Sequence, residues 1–196
     1  GQRRVTALAI NYANERKQFG VSISTFGAVR KKIAEMCTGI FVSEAGAYRA
    51  AKNVEDKIAE FISSGMSHAE AELSALADYA VECSILKVYV SDLTQHIADE
   101  GIQIYGGMGF SEDAPMEAAW RDSRISRIYE GTNEINRLLA VGMLIKKTMK
   151  GELDLLKPAM AIGKELMGIP SFEVPDYSAY MSEEKALLHN LKKVFL

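Results

Sequence analysis

For its first 114 residues the chain contains no proline; the four it has are Pro115, Pro158, Pro170 and Pro175. Proline removes a backbone donor and clashes with the preceding turn, so a long stretch without it favours long helices over a strand-and-turn architecture. Within that stretch apolar residues recur every three or four positions, the spacing that gathers side chains on one helical face. Val5, Leu8, Ala9, Tyr12 and Ala13 predict a helix over 3–17, and Phe19 to Ser24 breaks the pattern and reads as a loop. A long helix follows from Phe26, with Ile33, Met36, Cys37, Ile40, Phe41, Ala47, Tyr48, Ala51, Val54 and Ile58 as one apolar stripe. Ser63-Ser64-Gly65 closes it, and Ser67 with Glu70 has the form of a capping box that starts another. The next helix is expected from Ser67 to Ile97. Leu73, Leu76, Ala80, Cys83, Leu86, Val90, Leu93 and Ile97 form its main stripe, widened by Val81, Ile85 and Val88. A helix apolar on several sides belongs at the centre of a bundle or against another copy of the chain.

The pattern changes at Gly101, and Gln103 to Phe110 is a glycine-rich break. Asp113 is expected to cap a short helix carrying Trp120, with Pro115 in its first turn. Thr132 is placed to cap a helix with Ile135, Leu138, Leu139 and Met143. A weaker segment runs from Glu152 to Met167, residues 168–178 read as an extended linker, and 182–196 reads as a helix ending on Val194-Phe195-Leu196. That apolar end suggests that the natural chain continues. Gly1-Gln2-Arg3-Arg4 runs straight into a helical pattern, which suggests an excised fragment rather than a signal peptide or a natural start. The expected fold is all-α: an up-and-down four-helix bundle over 1–150 with additional C-terminal helices over 151–196, the start of an extension.

A net charge of -3 gives no electrostatic case for nucleic acid, and Arg30-Lys31-Lys32 and Lys146-Lys147 read as solvated helix faces. Cys37 and Cys83 lie in apolar helical patterns and read as buried free thiols in a reducing compartment; no metal site is read. No run of about 18 apolar residues is present to span a membrane.

Four segments do not fit a plain bundle. Glu15 to Gly20 puts Arg16 at a helix C-terminus, where the dipole alone would favour it; alternatively its planar fork grips phosphate, with Phe19 as an apolar anchor. Gln103 to Phe110 is either a tight connector or a backbone that comes close to a ligand; no strand precedes it, so it is not a dinucleotide fingerprint. Trp120 to Arg124 reads as a surface helix with internal ion pairs. In Ile125 to Glu134, Glu130 stands between an apolar-aromatic run and a glycine. It is either an ordinary acid near a helix start or a partly desolvated carboxylate suited to act as a general base.

In this order the four segments resemble the acyl-CoA dehydrogenase family. Arg16-Lys17-Gln18-Phe19-Gly20 is similar to its RxxFG signature and Gln103 to Phe110 to its glycine loop. Arg121-Asp122 with Ile128 to Ile135 is similar to the segment that holds the catalytic glutamate. The resemblance implies that Glu130 takes the α-proton of an acyl-CoA thioester, that its amide polarises the thioester carbonyl, and that the β-hydrogen leaves as hydride to FAD. The product would be a trans-2-enoyl-CoA, with electrons passing to an electron-transfer flavoprotein, as in fatty acid β-oxidation. Arg16, Gln18, Phe19, Gln103, Gly106 and Gly107 would reach the FAD of a neighbouring subunit, Thr132 and Glu134 the chain's own, and Gly131 would let substrate pack against the backbone. A homo-oligomer, dimer or tetramer, is implied, in bacterial cytoplasm or mitochondrial matrix. Family members carry an N-terminal helical domain and a β-domain before this bundle, so this chain alone is expected to bind FAD poorly and to be inactive. Two further readings stay open: an acyl-CoA oxidase, marked by hydrogen peroxide production, and a helical interaction module that has lost the chemistry.

Overall fold

The computed structural model describes residues 1–168 and 177–195. Helices α1 (Gln2–Glu15), α2 (Gly27–Ser63), α3 (His68–Asp78) and α4 (Ala80–Tyr105) follow one another, with strands β1 (Lys17–Gln18) and β2 (Val21–Ser22) between the first two. After them come α5 (Gly107–Phe110), α6 (Pro115–Arg124), α7 (Asn133–Met149), α8 (Leu156–Leu166) and α9 (Ser182–Phe195).

Long-range contacts fix the directions of the bundle helices. Arg3 at the start of α1 pairs with Glu44 in α2, while Ser22, just before α2, donates to the Ala13 carbonyl at the end of α1. Those two helices are therefore antiparallel. Gln2 donates to Thr94 of α4 and Leu8 accepts from the Tyr105 hydroxyl, so α1 and α4 run the same way. Lys32 pairs with Glu100, which sets α2 against α4, and Trp120 and Ser123 of α6 reach back to Asp99 and Gln95. Helices α1, α2, α4 and α6 thus form the expected up-and-down bundle. Its core gathers Val5, Ala9, Ala13, Met36, Ile40, Ile97, Ile104 and Met116, with Met36, Ile97 and Met116 wholly buried.

Close helix contact is built from glycines. A Cβ on Gly39 would lie 2.5 Å from Leu93 Cδ1, and one on Gly46 2.8 Å from Leu86 Cδ2. Gly101 faces Met116 Sδ at 2.9 Å and Val5 Cγ1 at 3.1 Å in the same sense. Helix α4 does not break at Gly101 as the sequence suggested, but runs on to Tyr105, with Gly101 at this close contact. Helix α4 also begins later than expected: the predicted helix from Ser67 to Ile97 is two, divided at Tyr79 (φ -97°, ψ 16°). The capping box of Ser67 and Glu70 is present.

Several expectations shift by a residue. The inward face of α4 is Val81, Ser84, Val88, Ser91, Ile97, Ala98, Gly101 and Ile104, so Val81, Val88 and Ile97 face inward as expected, whereas Leu73 and Leu76 of α3 and Ile85 of α4 are exposed. Among the inward residues Ser84, Ser91, Ala98 and Gly101 are small and let neighbouring helices approach. Cys37 and Cys83 are free but exposed rather than buried, and Phe41 and Tyr48 also face outward on α2. Asp113 does not cap α6: Pro115 at the first helical position holds Ala114 extended, and Ala114 is the N-cap. The loop expected after Phe19 is a hairpin pairing Gln18 with Val21, closed by Phe19 (φ 54°) and Gly20 (φ 84°), the left-handed pair that a two-residue turn demands.

Residues 1–141 and 142–196 form two compact units. In the second, Glu165 of α8 and Lys193 of α9 form an ion pair. Of the expected linker, residues 169–176 lie outside the described residues, as does Leu196.

Candidate active site

A short 3-10 turn (Ile125–Arg127) follows α6, and the chain then reverses into α7 through Glu130 and Gly131. Both adopt positive φ, 57° and 79°. Glycine does so freely, but for glutamate the left-handed region costs on the order of 1–3 kcal/mol and persists only where surroundings hold it. The Asn136 side-chain amide donates to the carbonyls of Glu130 (3.3 Å), Gly131 (2.8 Å) and Thr132 (3.2 Å). From α4, Lys87 Nζ donates to the Gly131 carbonyl at 2.8 Å and to Asn133 Oδ1 at 2.9 Å. A side chain at Gly131 would put its Cβ 2.9 Å from Asn136 Nδ2 and displace that amide. Thr132 caps α7 as expected, its hydroxyl accepting from the Ile135 N–H at 3.2 Å. The Glu134 carboxyl is held below the usual carboxylate range, first by a backbone N–H of the helix start and then by the Thr132 hydroxyl.

Beneath the turn, Asn133 is 1% exposed and donates to Ser91 Oγ and Asp92 Oδ1, both at 2.9 Å. Asp92 also pairs with Arg127 and Arg137 at 2.7 Å each. The turn is thereby tied to the middle of α4 by a polar network in which Asn133 and Ser91 are buried.

Glu130 lines a cleft of about 570 Å³ with Gln2 and Arg3 of α1, Glu44 of α2, Lys87 and Thr94 of α4, and Tyr129. The Arg3 guanidinium lowers the Glu44 carboxyl, chiefly through their hydrogen bond. Tyr129 also lines a second cleft of about 500 Å³, where Val5, Leu8, Ile97, Ala98 and Ala119 make an apolar wall. Within this chain Glu130 is exposed, so the partial desolvation expected of it is not supplied by these residues.

The other predicted positions form a second group. The Arg16 N–H ends α1 on the Tyr12 carbonyl at 2.8 Å, and Arg16 forms no ion pair among the described residues. Gln18 is exposed, and Phe19 at the hairpin tip is 93% exposed, its ring edge-on to Phe26 at 6.3 Å. Gln103 is exposed in the last turn of α4, where its carbonyl accepts from the Gly106 N–H at 3.2 Å. Gly106 takes φ 63° and ψ -142°, a conformation proper to glycine, and a Cβ on Gly106 or Gly107 would meet nothing within 4 Å. Tyr105 stacks on Tyr12 at 4.0 Å, so the glycine turn and the hairpin share one end of the bundle. Glu130 does not lie there. Its turn is fixed to Lys87, 16 positions before Gln103 on α4, or about 24 Å at the helical rise of ~1.5 Å per residue. The positions singled out thus fall into two groups along the bundle, a carboxylate group and a hairpin-and-glycine group. Helix directions decide this, and they cannot be read from the motifs.

Residues 1–143 match the family model for the acyl-CoA dehydrogenase C-terminal domain. The chain belongs to the acyl-CoA dehydrogenase family. It is similar to a probable acyl-CoA dehydrogenase of Bacillus subtilis, 39% identical over 194 residues, covering 99% of this chain and 32% of that one. The human mitochondrial very long-chain specific acyl-CoA dehydrogenase is 33% identical over 169 residues, 86% of this chain and 21% of its own length. The crystal structure of an acyl-CoA dehydrogenase complexed with FAD from Bacillus anthracis superposes with a TM-score of 0.86 at 36% identity, covering 98% of this chain and 32% of that one. The chain therefore spans about a third or less of these relatives. Among the described residues no helix is long and apolar enough to cross a membrane.

Four residues of this site were not found in the sequence: Lys87, Asp92, Asn133 and Asn136. The one available signal was Lys87 itself, a cation inside the apolar run Ile85-Leu86-Lys87-Val88.

Proposed function

We propose that this chain is the catalytic helical part of an FAD-dependent acyl-CoA dehydrogenase in which Glu130 is the base. The observation that carries the reading is a glutamate held in a left-handed turn on the wall of a cleft. Glu130 takes the α-proton of an acyl-CoA thioester, and the C–H pair of electrons becomes the new Cα–Cβ double bond as the β-hydrogen departs with its own pair. When bound, FAD supplies the two-electron oxidant that accepts that hydride. The Glu130 amide lies between the 3-10 turn and α7, outside both helical ladders, and is suited to polarise the thioester carbonyl. The apolar wall beside Tyr129 suits an acyl chain. The product is a trans-2-enoyl-CoA, and the downstream acceptor is an electron-transfer flavoprotein.

The residues present fit FAD. Phe19, almost fully exposed at a left-handed tip, and Arg16, which forms no ion pair among the described residues, are suited to a partner outside this chain's own core. Gly106 and Gly107 leave open backbone at the same end, while Thr132 and Glu134 stand with Glu130. Separation of the two groups supports a homo-oligomer in which Arg16, Gln18, Phe19, Gln103, Gly106 and Gly107 of one copy complete the FAD site of another.

Glu130→Gln in the full-length enzyme tests the base. Turnover of acyl-CoA falls by at least about a thousandfold while bound FAD is retained, because the proton acceptor is removed and the shape kept. Activity near that of the unaltered enzyme assigns the base elsewhere.

A further inference from the structure

We propose that Lys87 and Asn136 are positioning residues for proton abstraction: they clamp the carbonyls of the Glu130 turn and thereby aim the base. The proposal rests on the reading of Glu130 as that base.

Two left-handed residues in succession, Glu130 and Gly131, make an arrangement that the backbone would leave if nothing held it. Moving Glu130 to negative φ would relieve its strain and redirect its Cα–Cβ bond. Two side-chain donors oppose this relaxation. One side-chain amide, Asn136 Nδ2, meets three successive carbonyls at 2.8–3.3 Å. The Gly131 carbonyl, with two lone pairs, accepts from both Asn136 and Lys87, each at 2.8 Å. Lys87 approaches from α4 and Asn136 from α7, so the turn is gripped from two helices by residues 49 positions apart in sequence.

The use of Lys87 is unusual for a surface cation. It forms no ion pair among the described residues; its ammonium is committed to the Gly131 carbonyl and to Asn133 Oδ1. Asn133 is buried and bound in turn to Ser91 and Asp92, which prevents Lys87 from following the turn if it shifts. Lys87 also lines the same cleft as Glu130. A cation spent on a backbone carbonyl beside the base serves geometry, whereas a general stabilising role would be met as well by a carboxylate partner.

The test uses the full-length FAD-loaded enzyme with an acyl-CoA substrate and its α-deuterated form. Lys87→Met removes the donor and keeps the aliphatic length; Asn136→Ala removes the other donor. Each is expected to lower kcat by about tenfold to a hundredfold, the loss typical of a reacting group displaced by ~1 Å. KM and FAD content stay within about twofold, and the α-deuterium isotope effect on kcat rises because proton abstraction becomes slower. Lys87→Arg recovers most of the rate, and the double variant loses little beyond the worse single, since the two donors act as one unit. Either single variant suffices should the other fail to fold. Unchanged kcat in an FAD-loaded variant overturns the proposal, as does a loss that tracks FAD content with an unchanged isotope effect. Glu130→Gln, measured alongside, separates the two ideas. If it is inactive while Lys87→Met and Asn136→Ala are normal, only the clamp fails. If it is active, the base assignment fails and the clamp falls with it.

Discussion

Gly39 and Gly109 approach their neighbours equally closely, yet alanine should be tolerated at one and not at the other. A Cβ on Gly109 would lie 2.5 Å from the Ile102 carbonyl oxygen, 2.8 Å from Ile102 Cα and 2.9 Å from Tyr105 Cβ. The first two are backbone atoms within α4, which cannot turn aside; normal contact requires α5 or the end of α4 to move by several tenths of an ångström. Overpacking of this kind costs about 1–3 kcal/mol, and a rigid obstacle puts it at the upper end. At Gly39 the obstacle at 2.5 Å is Leu93 Cδ1, the far end of a side chain. A rotamer change there costs about 0.5–1.5 kcal/mol, while alanine in a helix gains about 1 kcal/mol over glycine, so the two offset. For a chain of this size each kcal/mol moves Tm by roughly 2–4 °C. Gly109→Ala should therefore lower Tm by about 6–12 °C and Gly39→Ala by no more than about 3 °C, measured by circular dichroism on the same chain. Equal shifts, or a larger one for Gly39→Ala, would refute the distinction between backbone and side-chain obstacles.

Two shorter predictions follow from the site. The Glu134 carboxyl has a lowered pKa in the folded chain, so its contribution to stability is present above the ordinary glutamate value of about 4.3 and is lost as pH falls through the folded value. The stability gap between the unaltered chain and Glu134→Gln should then close on acidification from pH 7 to pH values below about 4; a gap that widens contradicts the sign. The purified 196-residue chain should be colourless and should not reduce a dye with acyl-CoA, because half of a two-sided cofactor site seldom binds at useful strength. A yellow preparation sinks that expectation.

Much of the bundle was legible because local signals agreed with the tertiary outcome. The long spacing of α2, the Ser67–Glu70 box, Pro115 at a helix start and the Thr132 cap all stand where the sequence put them. The inward faces of α3 and α4 were only partly legible: Val81, Val88 and Ile97 are buried as expected, but hydrophobicity ranks Leu73, Leu76 and Cys83 above serine, whereas Ser84 and Ser91 are the buried residues. The positions singled out for the site were legible as motifs, but their separation along the bundle was not, since motif order carries no information on helix direction. Nor was the contact of Lys87 with Gly131, which joins residues 44 apart through a side chain with many rotamers.

The paired notches between α2 and α4 reach further than their own packing. Gly39 receives Leu93 and Gly46 receives Leu86, seven positions apart on both helices. A slide of α4 by one helical turn, about 5.4 Å, would carry both leucines out of these notches. Since the Glu130 turn hangs from Lys87, next to Leu86 on that same helix, these two indentations act as a vernier that sets where along the bundle the carboxylate can stand.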